Sequence, residues 1–348
     1  MLIRLAQTLP AEQAHRAAIL GLRAAGGWMP PAPTHANLAI DCGLGRKMPS
    51  PIGLAAGFDK DAEAIIGTQK LGFGAIEVGS ITPQAQPGNP MPRVFRLRED
   101  QAVINRYGFN SQGSEAAVRQ LNALNRDDLH VPLGVNLGKN KTSDALADYR
   151  HGLVTLAPLA DYITINLSSP NTPGLRDQQN MSAITALIDG LGNVWPDQPV
   201  FVKLAPDLDD ADLHELVGYL ADSPVTGIIM GNTTLSRPDS LRSSHATETG
   251  GLSGAPLFDL ALKKLQLIAQ ANAKLPAAKQ LTLIGCGGID SATRALQMIK
   301  AGASMVQLYS AIAIHGPGLV RRINADLSAL LKQEGVPNIQ HMIGVDLT

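Results

Sequence analysis

Tyr162-Ile163-Thr164-Ile165-Asn166-Leu167-Ser168-Ser169-Pro170-Asn171-Thr172-Pro173-Gly174 runs from a buried strand straight into a polar loop. The first four residues alternate with β-branched side chains, which reads as a short strand buried on both faces. Two prolines and a glycine within residues 170–174 then forbid both strand and helix. The break holds two amides (Asn166, Asn171) and three hydroxyls (Ser168, Ser169, Thr172). A solvated turn has a similar composition. The choice between turn and active-site loop depends on whether the pattern recurs.

It does recur. From Pro51 onward, strand candidates fall at 52–56, 75–79, 133–137, 162–167, 200–204, 227–230, 281–285 and 305–308. Helical stretches lie between them, among them 62–70, 144–157, 209–221, 258–273, 291–301 and 319–332. Eight evenly spaced strand–helix units over about 250 residues predict an α/β chain closed as a (β/α)8 TIM barrel rather than a doubly wound sheet. No G-x-G-x-x-G turn follows the first strand, and Gly72-Phe73-Gly74 stands before a strand, the wrong side for a phosphate. Two insertions interrupt the rhythm. Residues 82–113 contain a predicted hairpin (94–97 with 102–104), and 233–256 form a long polar loop ending Gly250-Gly251-Leu252-Ser253-Gly254. Long loops on a compact barrel are usually lids.

Residues 1–37 read as a separate helical extension, with the barrel domain spanning 38–348. Leu2, Leu5 and Leu9 are helically spaced, Pro10 suits a helix start, and Ala11 to Ala25 forms a second helix with Arg16 and Arg23 on roughly one face. Gly26-Gly27-Trp28-Met29-Pro30-Pro31 ends it. Such an appendage either packs on the barrel or lies on a membrane or partner surface with its arginines outward.

An apolar fraction of 45% and a charged fraction of 17% exclude a disordered chain. A net charge of −1 gives no basic field for nucleic acid. Cys42 and Cys286, the only two cysteines, offer no disulfide framework, zinc site or iron–sulfur cluster and fit a reducing compartment. No apolar run is long enough to span a bilayer, and the N-terminus lacks the features of a signal peptide.

Chemistry in a barrel gathers at the C-terminal ends of its strands. Those positions hold Lys60, Ser80, Asn136, Asn166, Lys203, Asn232, Gly287-Gly288 and Tyr309-Ser310. The ring offers lysines and neutral donors, without a His–Asp pair or a carboxylate cluster, so no metal is expected and paired-carboxylate hydrolysis is disfavoured. Lys203, on a buried strand, requires an anion. Amides with two lysines suit a planar ligand that becomes negative during reaction, such as a flavin. The glycines and amides after strands seven and eight suit its phosphate. Asn105-Arg106-Tyr107-Gly108-Phe109-Asn110 could add amides to a substrate pocket.

Ala55 to Lys60, Asn105 to Asn110, Asn166 to Arg176, Gly250 to Gly254 and Ile284 to Asp290 resemble, in order, the signature segments of the dihydroorotate dehydrogenases. Serine at 169, where soluble class 1 members have cysteine, and the helical extension resemble the quinone-dependent class 2 form. The resemblance implies oxidation of (S)-dihydroorotate to orotate in pyrimidine biosynthesis, with FMN as hydride acceptor and a membrane quinone as final acceptor. Ser169 would take the C5 proton, with Thr172 assisting its route. Lys60 would meet the substrate carboxylate, while Asn105, Arg106, Tyr107, Gly108, Phe109, Asn166, Asn171, Asn232 and Thr233 would surround the pyrimidine. Ala56, Gly57, Phe58, Asp59, Lys60, Ser80, Asn136, Asn166, Lys203 and Gly231 would line the flavin. Gly254, Gly288, Tyr309 and Ser310 would hold its phosphate. His15 and Arg96 would stand at the inner end of a quinone tunnel near Tyr309. The implied location is peripheral, on the cytoplasmic face of a bacterial inner membrane, without nucleic acid or an obligate protein partner. Two departures stand out: Gly231 where relatives usually carry threonine, and Ser80 for a more usual threonine. The rivals are a class 1-like enzyme with another acceptor, a non-catalytic barrel that senses a phosphate ligand, and a nucleotide oxidoreductase using Cys286.

Overall fold

The computed structural model describes residues 9–168 and 181–347. Eight parallel strands close a barrel: β1 (Ile52–Leu54), β2 (Ala75–Ile81), β5 (Leu133–Leu137), β6 (Tyr162–Asn166), β7 (Val200–Leu204), β8 (Gly227–Met230), β10 (Thr282–Cys286) and β11 (Met305–Leu308). Their residues are almost entirely buried because helices cover the outside and side chains fill the inside. The helices are α2 (Ile65–Gln69), α3 (Ser114–Ala123), α4 (Ala145–Leu156), α5 (Met181–Leu191), α6 (Asp210–Ala221), α7 (Phe258–Ala273), α8 (Ala292–Lys300), α9 (Ser310–His315) and α10 (Leu319–Gln333). Asp144, Asp209 and Ser291 cap α4, α6 and α8 by accepting from backbone N–H groups of the first turn. The expected barrel is what forms. Helix α2 is shorter than the predicted 62–70, since Ala62 takes a positive φ of 61° that no helix accommodates.

Register places the polar strand ends at one level. Gly79 pairs with Asn136, and Asn166 with Lys203.

The insertion hairpin forms as β3 (Val94–Leu97) and β4 (Ala102–Asn105). The second insertion differs from a plain loop. Its glycine-rich end is a strand, β9 (Gly251–Gly254), antiparallel to β4 with Val103 opposite Ser253. A small core of Phe95, Leu97, Ala102, Ile104 and Leu252 seals this sheet. Both lids are thus one structure over the barrel mouth.

Helix α1 (Ala11–Ala25) lies against α2. The approach is close: a Cβ on Gly67 would fall 2.2 Å from the Leu22 carbonyl oxygen. Glu12 pairs with the buried Arg93 of the first insertion at 2.5 Å. Arg16 and Arg23 do not point freely outward. Both converge on Glu63. Leu20 (47% exposed) and Trp28 (91%) face away from the barrel.

Candidate active site

One cavity of about 970 Å³ begins at the C-terminal ends of the barrel strands and reaches the inner face of α1. Its deep part is polar. Ser80, Asn166, Lys203 and Asn232 line it, with Thr233 and Asn105 nearby on its wall. Asn166 Nδ2 donates to Ser80 Oγ at 3.0 Å and Asn136 Oδ1 at 3.1 Å, while Ser80 Oγ donates to Asn136 Oδ1. Asn232 Nδ2 donates to Ser168 Oγ at 2.8 Å. These amides are held by each other, so their orientation exists before any ligand arrives.

Lys203 is only 4% exposed, yet it lines the cavity, and no carboxylate lies in ion-pair contact with it among the described residues. A buried ammonium without a counter-ion is costly. A planar ring whose charge becomes negative beside it would supply one. The donor set therefore fits a flavin.

Lys60 lines the same wall and its Nζ donates to Gly57 O and sits 4.2 Å from the Tyr107 ring centroid. Burial pushes its pKa down to about 8. A ligand carboxylate would hold the ammonium charged more firmly.

Gly254, Gly287, Gly288, Tyr309 and Ser310 close another end, where Ser253 and Ser310 share a hydroxyl bond of 2.8 Å. Backbone without bulky side chains there leaves N–H groups open to a phosphate. Ala56 and Gly57 form the adjoining wall.

Toward α1 the cavity becomes apolar. Phe58, Tyr309 and His15 make an aromatic cluster, with the Tyr309 centroid 5.6 Å from that of Phe58, edge-on, and 6.1 Å from that of His15, tilted. His15 Nε2 bonds to Phe58 O at 2.7 Å. Burial, and then the charge of Lys60, pushes its pKa down to about 4, so the ring is neutral near pH 7. Arg96 lines the same region and donates to Leu9 O at 2.8 Å.

Three expected ligand residues stand elsewhere. Asp59 turns away from the cavity: its carboxylate accepts from the backbone N–H groups of Glu63 and Ala64, both at 2.8 Å, and shapes the loop before α2. Burial pushes its pKa up to about 6. Arg106 staples the lid, bonding Glu248 at 2.8 Å, Thr249 O and Pro92 O, and lying over Phe95. Its neighbours Tyr107, Gly108 and Phe109 do face the cavity. Asn136 is fully buried one layer beneath the wall and reaches a ligand only through Ser80 and Asn166. Ser169, Asn171 and Thr172 lie outside the described residues.

Gly231 is a cavity residue, and a larger side chain there would fit only tightly. A Cβ there would come 3.2 Å from Pro206 Cδ. Cys286 lines the cavity, but burial pushes its thiol up, which does not suit a nucleophile. Sequence reasoning missed Glu77 and Gln307, both fully buried in the barrel interior. The available signal was a carboxylate inside the apolar run Ala75-Ile76-Glu77-Val78.

The family model described as "Dihydroorotate dehydrogenase" matches residues 39–331. A protein named "Dihydroorotate dehydrogenase (quinone)" from Azorhizobium caulinodans is 52% identical over 86% of this chain and 85% of its own length. "Dihydroorotate dehydrogenase (quinone), mitochondrial" from Mus musculus is 45% identical over 98% of this chain and 88% of its own. A solved structure, "Crystal structure of DHODH in complex with ferulenol from Eimeria tenella", superposes with a TM-score of 0.89 at 38% identity, covering 96% of this chain and 95% of that one.

Proposed function

The chain belongs to the dihydroorotate dehydrogenase family, and we propose that it oxidises dihydroorotate to orotate and passes the electrons to a membrane quinone through FMN. The observation that carries this is the single cavity with two characters, a floor of amides and lysines opening toward an apolar mouth at α1. An anionic pyrimidine needs the first, and a quinone the second.

FMN, when bound, supplies the hydride acceptor. Lys203 would stand at its pyrimidine side, where fixed positive charge favours the more negative form. Gly254, Gly288, Tyr309 and Ser310 would hold the phosphate. Asn105, Asn166, Asn171 and Asn232 would bond the edges of dihydroorotate, and Lys60 its carboxylate. Ser169 would take the C5 proton. A hydroxyl is a weak base in water, so this role depends on the sheet of β3, β4 and β9 excluding solvent above the site. His15 and Arg96 would receive the quinone at its inner end.

Among the described residues no helix is long and apolar enough to cross a membrane. Exposed Leu20 and Trp28 beside the cavity mouth support peripheral attachment through α1. On this reading the chain sits on the cytoplasmic face of a bacterial inner membrane.

The test is an absorption spectrum of the purified protein. It should be yellow with about one FMN per chain, as one cavity requires. The colour should bleach with dihydroorotate and return with quinone but not fumarate. A colourless protein that takes up no FMN sinks the reading, and fumarate-driven recovery would replace the acceptor.

A further inference from the structure

We propose that Glu77 is a positioning residue, whose buried carboxylate fixes the donor direction of the amide relay beneath the cavity and sets a negative charge against the flavin. The proposal rests on the flavin reading above.

The relay is continuous and runs one way. Asn232 Nδ2 donates to Ser168 Oγ at 2.8 Å, and Ser168 Oγ to Asn166 Oδ1 at 3.0 Å. Asn166 Nδ2 donates to Asn136 Oδ1 at 3.1 Å, and Asn136 Nδ2 to Glu77 Oε1 at 2.8 Å. Every donor points toward Glu77. The direction is imposed at both ends. The Ser168 backbone N–H donates to Asn166 Oδ1 at 3.3 Å, and that of Thr233 to Asn232 Oδ1 at 2.8 Å. A backbone N–H cannot reverse, and an ionised carboxylate only accepts. Between these fixed ends each amide has one orientation open to it. That orientation decides which edge of Asn166 and Asn232 offers N–H and which offers C=O to a substrate.

The other carboxylate oxygen accepts from Gln307 Nε2 at 2.7 Å, Thr164 Oγ1 at 3.1 Å and Tyr162 OH at 3.3 Å. Burial, then the neighbouring Glu77, pushes the Tyr162 phenol well above its ordinary range, so it keeps the proton it donates. Glu77 is fully buried, and neutral donors alone satisfy it. A glutamine could tie the same strands together without burying a charge. The charge itself therefore calls for a role. It is opposite in sign to that of Lys203, and the two charges push the Cys286 thiol in opposite directions. Where Lys203 draws electrons onto a bound ring, Glu77 limits how strongly they are held.

Glu77→Gln tests this. A glutamine no longer fixes the direction. Its oxygen can keep Asn136 Nδ2 while its NH2 goes to the Thr164 and Tyr162 hydroxyls and to Gln307, whose Oε1 has no hydrogen-bond partner among the described residues. It can also flip and turn Asn136. Two quantities are read: orotate affinity from flavin spectra, and the flavin midpoint potential. Orotate binding should weaken by about tenfold or more. The reduced form should gain by at least a similar factor, a positive shift of ~30 mV or more for a two-electron couple. Tyr162→Phe and Thr164→Val each remove a donor from the same carboxylate but leave its charge and Asn136 in place. A merely structural Glu77 would make all three variants less stable with both readouts unmoved. If Glu77→Gln does not fold, Glu77→Asp keeps the charge but withdraws it from Asn136. It should weaken orotate binding with the potential near wild type, and unchanged orotate binding would overturn the proposal. A yellow wild type with a folded Glu77→Gln equal to it in both readouts overturns this proposal alone. A wild type that binds no flavin overturns the flavin reading and this one together.

Discussion

Gly67→Ala should part α1 from the barrel and separate the two half-reactions. The added Cβ would lie 2.2 Å from the Leu22 carbonyl oxygen and 2.8 Å from its carbon, against the 3.4 Å at which ordinary contact begins. Both partners are backbone, so no side chain can swing aside, and the helices must part by about 1.2 Å. Gly26 sits in the same contact, with its own Cβ position 2.7 Å from Gly67 N, which blocks a sideways slide. Overpacking of this kind costs about 1–3 kcal/mol. His15 lies two turns before Leu22 on α1, and an outward shift stretches its 2.7 Å bond to Phe58 O past hydrogen-bond range. Misplacing a binding group by about 1 Å can lower turnover ~10²-fold. Gly67 does not line the cavity, so the deep floor keeps its geometry. Stopped-flow bleaching of the flavin by dihydroorotate should stay at the wild-type rate, while steady-state turnover with a long-chain quinone falls by one to two orders of magnitude, roughly. Gly218→Ala on α6, where a Cβ meets nothing within 4 Å, is the control and should gain about 0.5–1 kcal/mol. Wild-type quinone turnover by a folded Gly67→Ala protein would refute the reasoning and move the port away from α1.

Ser169→Ala should keep its flavin and slow reduction by dihydroorotate at least ~10²-fold, the scale of a lost general base; Ser169→Cys should keep part of the rate, and an unslowed alanine variant would place the base elsewhere. Lys203→Ala should lower the flavin potential, because the removed charge favours the reduced form, and an unchanged potential in a folded variant would leave the lysine a packing role. His15→Gln should make the protein less acid-sensitive. Its folded pKa of about 4 lies below the ordinary 6.5, so the unfolded chain binds the extra proton between those values. Stability is then complete above pH 6.5 and falls by up to roughly 3 kcal/mol as the pH drops toward 4. Asp59 works in the opposite sense over pH 6 to 3.8, since its raised value makes the folded state the better proton binder there. Melting curves from pH 7.5 to 4.5 should show His15→Gln losing less than wild type, and parallel curves would mean that His15 is not desolvated.

The barrel was legible because a parallel sheet covered on both sides writes its strands as apolar runs, as in Val200-Phe201-Val202-Lys203. The helix starts at Asp144, Asp209 and Ser291 were legible because capping is a local interaction. Strand parity carries further information. Ala75, Glu77 and Gly79 share one side of β2, as Tyr162, Thr164 and Asn166 share one side of β6. Reading that alternation would have placed Glu77 inside the barrel with the amides. Other features had no such signal. β9 is Gly-Leu-Ser-Gly, a strand only because β4 lies beside it. Asp59 and Lys60 are neighbours in a turn without periodicity, so nothing local tells which of them faces the cavity. Arg106 sits inside a motif whose next residues line the site, yet its partners Glu248 and Thr249 lie on the other insertion.

The alanine-rich composition of α1 gains a physical meaning from the cavity. Of the described residues in this helix only Ile19 is buried as core, while Ala11, Ala14, Ala17, Ala18 and Gly21 line the cavity. A helix that served only to cover the barrel would fill this face with leucine or isoleucine, since apolar volume buried against the core is what holds an amphipathic helix in place. Here attachment comes from other means: the Glu12–Arg93 pair, the convergence of Arg16 and Arg23 on Glu63, and the close backbone contact at Gly67. Polar clamps at the rim and glycines at the contact free the inner face from packing duty. Small side chains on that face then leave a passage open to Tyr309. A polar floor cannot admit an apolar acceptor without leaving its amides unbonded, and an apolar mouth cannot hold an anion. Two chemistries in one cavity therefore require two walls made by different rules, strand ends for the first and a deliberately under-packed helix for the second.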